Sequence, residues 1–312
     1  MYYFPPFPLD IERLIFEVAA VEYGPDRKAV ANLLLVAKRV HDWIRPILYH
    51  IFTQHMVPPE VSPPFPDFEK RPDLLGEVGK FAKHLFIGPP TKDKIMDTLL
   101  LSCPNVENLA LWFDYPFRLK PYLPAIQKLP LKRLSCCIGE LAPEDIQKNP
   151  LCNLTHLDIF YFDFDHSFRE KGIKALPSLP YLTHLAIGFV FPSNIGVDAL
   201  NSLLLDCPHL RILVIFSEKD DDKVEDQEVQ LARIDSLKLV LIVLGTYAEM
   251  EEDWHNGARG GVDFWIFAER FSSARRDKLL VDTSQRWLFI SFDWVAELND
   301  QGLEWYSRLH PK

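Results

Sequence analysis

Apolar positions follow two different periods along this chain. From Ile11 to Ile51 they recur at the spacing of one helix face. A first run holds Ile11, Leu14, Ile15, Val18 and Ala19, a second lies around Val30 to Val36, and a third holds Val40, Trp43, Ile44, Ile47, Leu48 and Ile51. Asp10 stands where an N-cap oxygen accepts from an orphan helix N–H. Tyr23-Gly24-Pro25-Asp26 breaks the first run, and Pro46 kinks or restarts the third. The pattern predicts three short helices. A unit below roughly 60 residues is marginal at burying that much apolar surface alone, so part of it is expected to meet a partner or the next domain.

From Leu74 the period changes. A unit Leu-x-x-Leu-x-aliphatic recurs at Val106–Leu111, Leu131–Cys136, Leu154–Ile159, Leu182–Ile187 and Leu210–Ile215, with a weaker copy around Leu85. Its central leucines, at 85, 109, 134, 157, 185 and 213, lie 23 to 28 residues apart, inside the leucine-rich-repeat range of about 20–29. The flanks agree: LLLSCPNVENLAL (Leu99 to Leu111) parallels LLLDCPHLRILVI (Leu203 to Ile215). One such unit does not hide its own apolar face, so neighbours must stack. Alternate residues leave a short strand on opposite sides. The leucines are therefore expected in the core, and Asn108, Ala110, Trp112, Arg133, Ser135, Cys137, His156, Asp158, Phe160, His184, Ala186, Gly188, Ile212, Val214 and Phe216 on an outward concave face, unless loops such as 161–171 cover some of them. Leu237 to Leu244 is apolar throughout, as a parallel strand covered on both sides would be. Asp263 to Phe271 has helical spacing, Trp287 to Phe292 reads as a strand, and Val295 to Leu309 as a short amphipathic end. Trp265, Trp287, Trp294 and Trp305 are the residues expected to cap the last layer or to form an aromatic patch.

The predicted class is α/β: a three-helix module over 1–56, a Pro-rich linker or crossing segment over 57–73, and a repeat solenoid with a curved parallel sheet and C-terminal cap over 74–312. At 48% hydrophobic and 25% charged, the 312 residues compose an ordinary globular chain. A net charge of −10 argues against a general nucleic-acid or anionic-membrane binder. The acidic block Ser217 to Glu228 reads as a solvated loop. Five cysteines, two of them adjacent, give neither a disulfide framework nor a metal spacing, which fits a reducing compartment. No signal-peptide pattern or membrane-length apolar run occurs, so the expected location is cytoplasmic or nuclear.

No catalytic pattern emerges. Asn256 to Gly261 is Gly-rich but lacks the Lys-Ser/Thr of a phosphate loop, and reads as a turn. Gly-x-Ser-x-Gly, His-Glu-x-x-His and Cys-x-x-Cys are absent from the sequence. His156 and His184 share one slot in consecutive repeats. A shared metal would need a third ligand, with Asp158 the only obvious one, so solvated histidines are the expectation. Neither cofactor, metal nor enzymatic step is expected.

The N-terminal stretch resembles an F-box. The residues that carry the resemblance are Phe7-Pro8-Leu9-Asp10-Ile11, Ile15-Phe16, Trp43 and Leu48-Tyr49. The likeness covers about 45 residues, and is similar to the F-box-like proteins abundant in mushroom-forming fungi. Lys38-Arg39 replaces the Cys-Arg pair common in that family, and the Gly24-Pro25 turn is longer. The resemblance implies a substrate-recognition subunit of an SCF-type cullin ubiquitin ligase. A Skp-family adaptor would bind Pro8, Leu9, Ile11, Ile15, Phe16, Trp43, Leu48 and Tyr49. A target protein would meet the concave face at Asn108, Trp112, Arg133, His156, Asp158, Phe160, His184 and Phe216. The alternative is an interaction scaffold without ligase association.

Overall fold

The computed structural model describes residues 7–24, 26–54, 64–89, 93–113, 119–136, 151–159, 173–174, 176–188, 197–218, 233–234, 236–244, 246–282, 287–289 and 294–309. It is an α/β structure whose strands form an open, parallel sheet. The chain divides into two compact units, 1–108 and 109–312, and the division falls inside a strand.

In the first unit, α1 (Leu9–Glu22), α2 (Arg27–Leu33) and α3 (Lys38–Leu48) are the three predicted helices. Asp10 is not the cap of α1. Pro8 holds that position and no side chain caps it, while Asp10 lies in the first turn, where a negative charge favours the positive end of the helix dipole. Asp26 caps α2, its Oδ1 accepting from the N–H groups of Lys28 and Ala29 at 3.0 Å each. Pro46 sits in the last turn of α3, which runs through it. Ala20, Val30, Val40 and Ile44 form the buried centre of the module.

Ile51 opens a strand rather than closing a helix. β1 (Ile51–Gln54) pairs in parallel with β2 (His84–Ile87). The described part of the Pro-rich segment is packed: Phe65 and Thr53 exchange two backbone hydrogen bonds of 2.7 Å, and Phe68 lies edge-on to Phe52 at 5.3 Å. Residues 57–63 lie outside the described part. α4 (Pro72–Val78) and α5 (Asp93–Ser102) also belong to this unit.

β3 (Asn108–Leu111) leads into the second unit, where β4 (Arg133–Cys136), β5 (His156–Ile159), β6 (His184–Ile187), β7 (Ile212–Glu218), β8 (Leu239–Leu244) and β9 (Trp287–Phe289) follow in chain order. Leu134, Leu157, Leu185, Leu213 and Leu239 are partners across the sheet in one line. That line and the leucines three residues ahead of the repeat centres, Leu131, Leu154, Leu182 and Leu210, are buried. The ladder is thus the core it was expected to be. Short helices α6 (Leu123–Ile126) and α7 (Val197–Asp206) contribute Leu123, Ile126, Leu200 and Leu203 to the buried set.

The other face of the sheet departs from expectation. Glu249 to Gly261 is largely helix: α8 (Tyr247–Ala258) opens with a capping box in which Thr246 and Glu249 satisfy each other's backbone N–H. It is followed by α9 (Phe264–Arg276), capped by Asp263, and later by α10 (Asp300–Leu309). α8 and α9 lie over the face that alternates with the leucines. Ala110, Ser135, Asp158, Ala186, Val214 and Phe216 are buried as a result. Trp265 covers the middle of this face instead of capping an end. Trp294 is buried against Phe271 and Tyr306, Trp305 lies 6.5 Å from Tyr306, and the side chain of Trp287 lies outside the described part.

Leu157 and Leu185 are buried on a sheet covered on both sides, where little can relax into a hole. Leu157→Ala or Leu185→Ala is expected to lower stability by about 2–5 kcal/mol in urea unfolding, whereas Leu205→Ala, at an exposed position of α7, should change it by less than about 0.5 kcal/mol.

Candidate functional site

Two surfaces carry the residues singled out from the sequence. The first is the helical module. Its eight candidate adaptor residues separate into two groups. Phe16, Trp43 and Leu48 pack, partly buried, against the module's own core, and Tyr49 stacks on Phe65 at 5.8 Å and 10°. These four serve the fold first. Pro8, Leu9, Ile11 and Ile15 are exposed. Ile11 and Ile15 belong to a longer apolar stripe. Ile11, Leu14, Ile15 and Val18, at i, i+3, i+4 and i+7, are 40, 56, 50 and 47% exposed, and Leu9, Val21, Leu35 and Val36 are exposed too. The spacing was visible in the sequence as one apolar face. Its outward orientation was not, because Phe16, Ala19 and Ala20 supply the inward face. Glu12 and Arg39, 2.7 Å apart, tie α1 to α3. Arg39 is thus held by its own module.

The second surface is the sheet face expected to be open for a target. It is covered, and its candidate residues are internal contacts. Asn108, buried in the first unit, has Nδ2 3.3 Å from Nδ1 of His84. Trp112 packs edge-on against Tyr247 at 5.3 Å. Arg133 Nη1 donates to Oδ2 of Asp263 at 2.7 Å, while Oδ1 of the same carboxylate caps α9 through Ile266 N. Phe216 meets Phe264 edge-on at 5.0 Å. Phe160 lies outside the described residues.

The predicted neighbourhood of His156 and His184 is real, but His184 is buried and His156 partly so. Their rings stack at 4.1 Å and 3°, and Trp265 stands edge-on to both, at 5.3 and 5.6 Å. His184 Nε2 lies 3.1 Å from Oε1 of Glu269, which also pairs with Arg211 at 3.2 Å. Burial pushes the His156 pKa down to about 2, helped by the positive charge that His184, Arg133 and Arg211 would place beside it. Burial also lowers His184, with Glu269 opposing. Both rings are therefore neutral at pH 7, and Nδ1 of His184 lies 2.8 Å from the Thr183 hydroxyl, which donates to Thr155 O.

Beneath the helices lies a short polar chain. Trp112 Nε1 donates to Ser135 Oγ at 2.7 Å, and Ser135 Oγ donates to Asp158 Oδ2 at 2.6 Å. Asp158 Oδ1 is buried without a hydrogen-bond partner among the described residues. Burial pushes the Asp158 pKa up to about 7, against the Ser135 hydrogen bond. Asp253 on α8 also rises to about 7, from burial and from repulsion by Asp263 and Asp158, partly offset by the Phe264 N–H. Among the described residues no group of three His, Cys, Asp or Glu side chains converges as a metal site, and no helix is long and apolar enough to cross a membrane. No protein-family model matches the chain, and comparison with curated proteins gives no match.

The raised carboxyl groups set a pH response. Unfolded, Asp158 ionises near its ordinary value of 3.8; folded, near 7. Its protonated form therefore supports the fold below about pH 4, and that support is lost as pH rises toward 7. The neutral histidines work the other way, their contribution growing with pH up to about 6.5. The difference between Asp158→Asn and the parent isolates the carboxyl. The variant is expected to gain relative stability from pH 4 to pH 7, by about 2–4 kcal/mol at the plateau, in urea titrations across that range. A flat difference would place Asp158 in water.

Proposed function

We propose that the chain is a substrate-recognition subunit of an SCF-type ubiquitin ligase, in which residues Pro8 to Tyr49 act as an F-box-like module that docks a Skp-family adaptor and the leucine-repeat unit holds a target protein. The observation that carries the reading is the exposed stripe of Ile11, Leu14, Ile15, Val18 and Val21 along α1. Scattered apolar residues on a surface need no explanation, but a contiguous stripe marks an interaction site. Few aromatic or aliphatic anchors carry most of an interface's energy, and a standard interface buries about 1,600 Å² in total. The sequence likeness to F-boxes names the partner. The stacked leucines spaced 23 to 28 residues apart support the leucine-rich-repeat reading of the rest.

In this reading the protein performs no chemistry. It raises the effective concentration of a target lysine near a charged conjugating enzyme. A cytoplasmic or nuclear location follows from the same reading. The half-buried Phe16, Trp43 and Leu48 hold α1 and α3 together so that the stripe is presented as one rigid surface.

The test is co-expression with a fungal Skp adaptor and a pull-down. The parent chain is expected to be retained. Replacing Pro8 and Leu9 together by Ala should weaken retention by about 2 kcal/mol or more, and Ile15→Asp should abolish it, with circular dichroism unchanged in both. If the folded parent chain fails to bind, the ligase reading is wrong and the scaffold without ligase association takes its place.

A further inference from the structure

With the alternating face of the sheet covered, a target must be held elsewhere on the second unit. A groove of about 830 Å³ crosses the N-terminal ends of four consecutive strands. Its floor comes from the residues just ahead of β5, β6, β7 and β8: Thr155, Thr183, Arg211 and Lys238. Its wall is one face of α9, residues Glu269, Ser272 and Arg276 at i, i+3 and i+7. Three steps of about 4.8 Å between strands give a run of about 14 Å, the length of about four extended residues.

The charge of this groove opposes that of the chain. The chain carries −10, yet three cations line the groove against the single carboxylate of Glu269. That carboxylate is already shared by His184 and Arg211. Arg211 offers five N–H donors and its side chain is 69% exposed. Lys238 and Arg276 have no ion-pair partner among the described residues. The hydroxyls of Thr155 and Thr183 are engaged within the repeats, so the cations are what is left to hold a ligand. Tyr181 and Leu237, both exposed, add an apolar rim. Clefts lined by one sign of charge concentrate oppositely charged ligands.

We infer that this groove binds a short acidic peptide segment of a partner protein, its carboxylates on Arg211, Lys238 and Arg276 and one aromatic or aliphatic side chain against Tyr181 and Leu237. The inference rests on the adaptor reading only for calling that partner a target; the binding itself does not depend on it.

The experiment is fluorescence anisotropy with the full chain alone and a labelled peptide that alternates glutamate with leucine and phenylalanine. Saturable binding is expected. It should weaken about tenfold or more for the same peptide carrying glutamine in place of glutamate, and equally for the protein variant Lys238→Glu/Arg276→Glu. The milder Lys238→Gln/Arg276→Gln should lie between, and added salt should weaken the parent complex most. Both altered side chains lie outside the core, and circular dichroism reports that the fold is kept. No saturable binding, equal binding of the glutamine peptide, or equal binding by the charge-reversed variant would overturn the inference. So would displacement of the peptide by inorganic phosphate at equal concentration, which would make the groove a small-anion site. No adaptor is present in this assay, so its failure leaves the pull-down result standing, and failure of the pull-down leaves this one standing.

Discussion

A parallel sheet has to be covered on both faces. Its strands present apolar or partner-seeking side chains on each side, and water on either would leave that surface unsatisfied. In the second unit the leucine ladder provides for one face from within the repeats. The other depends on the docking of α8 and α9, and the fate of every residue between the leucines follows from it. Trp112, Asp158, His184 and Phe216 are buried because two helices from the far end of the chain lie over them.

The two faces are held by different physics. The leucine side is apolar and in register, so its cohesion comes from area removed from water and from close packing. The covered side is polar at its centre. Arg133 reaches Asp263 across 130 positions of sequence, two imidazoles stack under Trp265, and two carboxyl groups are held near neutrality. Removing one partner of such a buried pair costs more than the pair itself contributes. That arrangement fixes where α9 sits, and so the wall of the cationic groove, whose Glu269 belongs to both networks.

The ladder was legible because its signal is local and repeated. A leucine that returns every two dozen residues predicts its own neighbours, and Leu134, Leu157, Leu185 and Leu213 stand side by side as that spacing required. The helical spacing of Asp263 to Phe271 was legible for the same reason. α8 was not. Gly257 and the polar run around it read as a turn, although Thr246 and Glu249 form a capping box. Gly257 has a tertiary reason: a Cβ there would come within 2.5 Å of Asp263 Oδ2, so the helix carries glycine to let the Arg133 partner approach. Contacts that join Arg133 to Asp263 or His184 to Glu269 leave no periodic trace, so nothing in the repeat pattern shows that the outward face is covered. On α1 the stripe itself was visible, but which side of it faced water depended on Phe16 packing against α3.

The covering of the sheet by α8 and α9 is tested most directly by the chemical accessibility of His184. Diethyl pyrocarbonate acylates neutral imidazole, so the lowered pKa of a buried ring does not by itself protect it. Mass-spectrometric rates for His184 and for the exposed His209 are compared on the folded chain. The covered arrangement predicts that His184 reacts at least about tenfold more slowly, because modification waits for local opening, and that Trp265→Ala narrows the gap. Equal rates for the two histidines in a fully folded chain would contradict it.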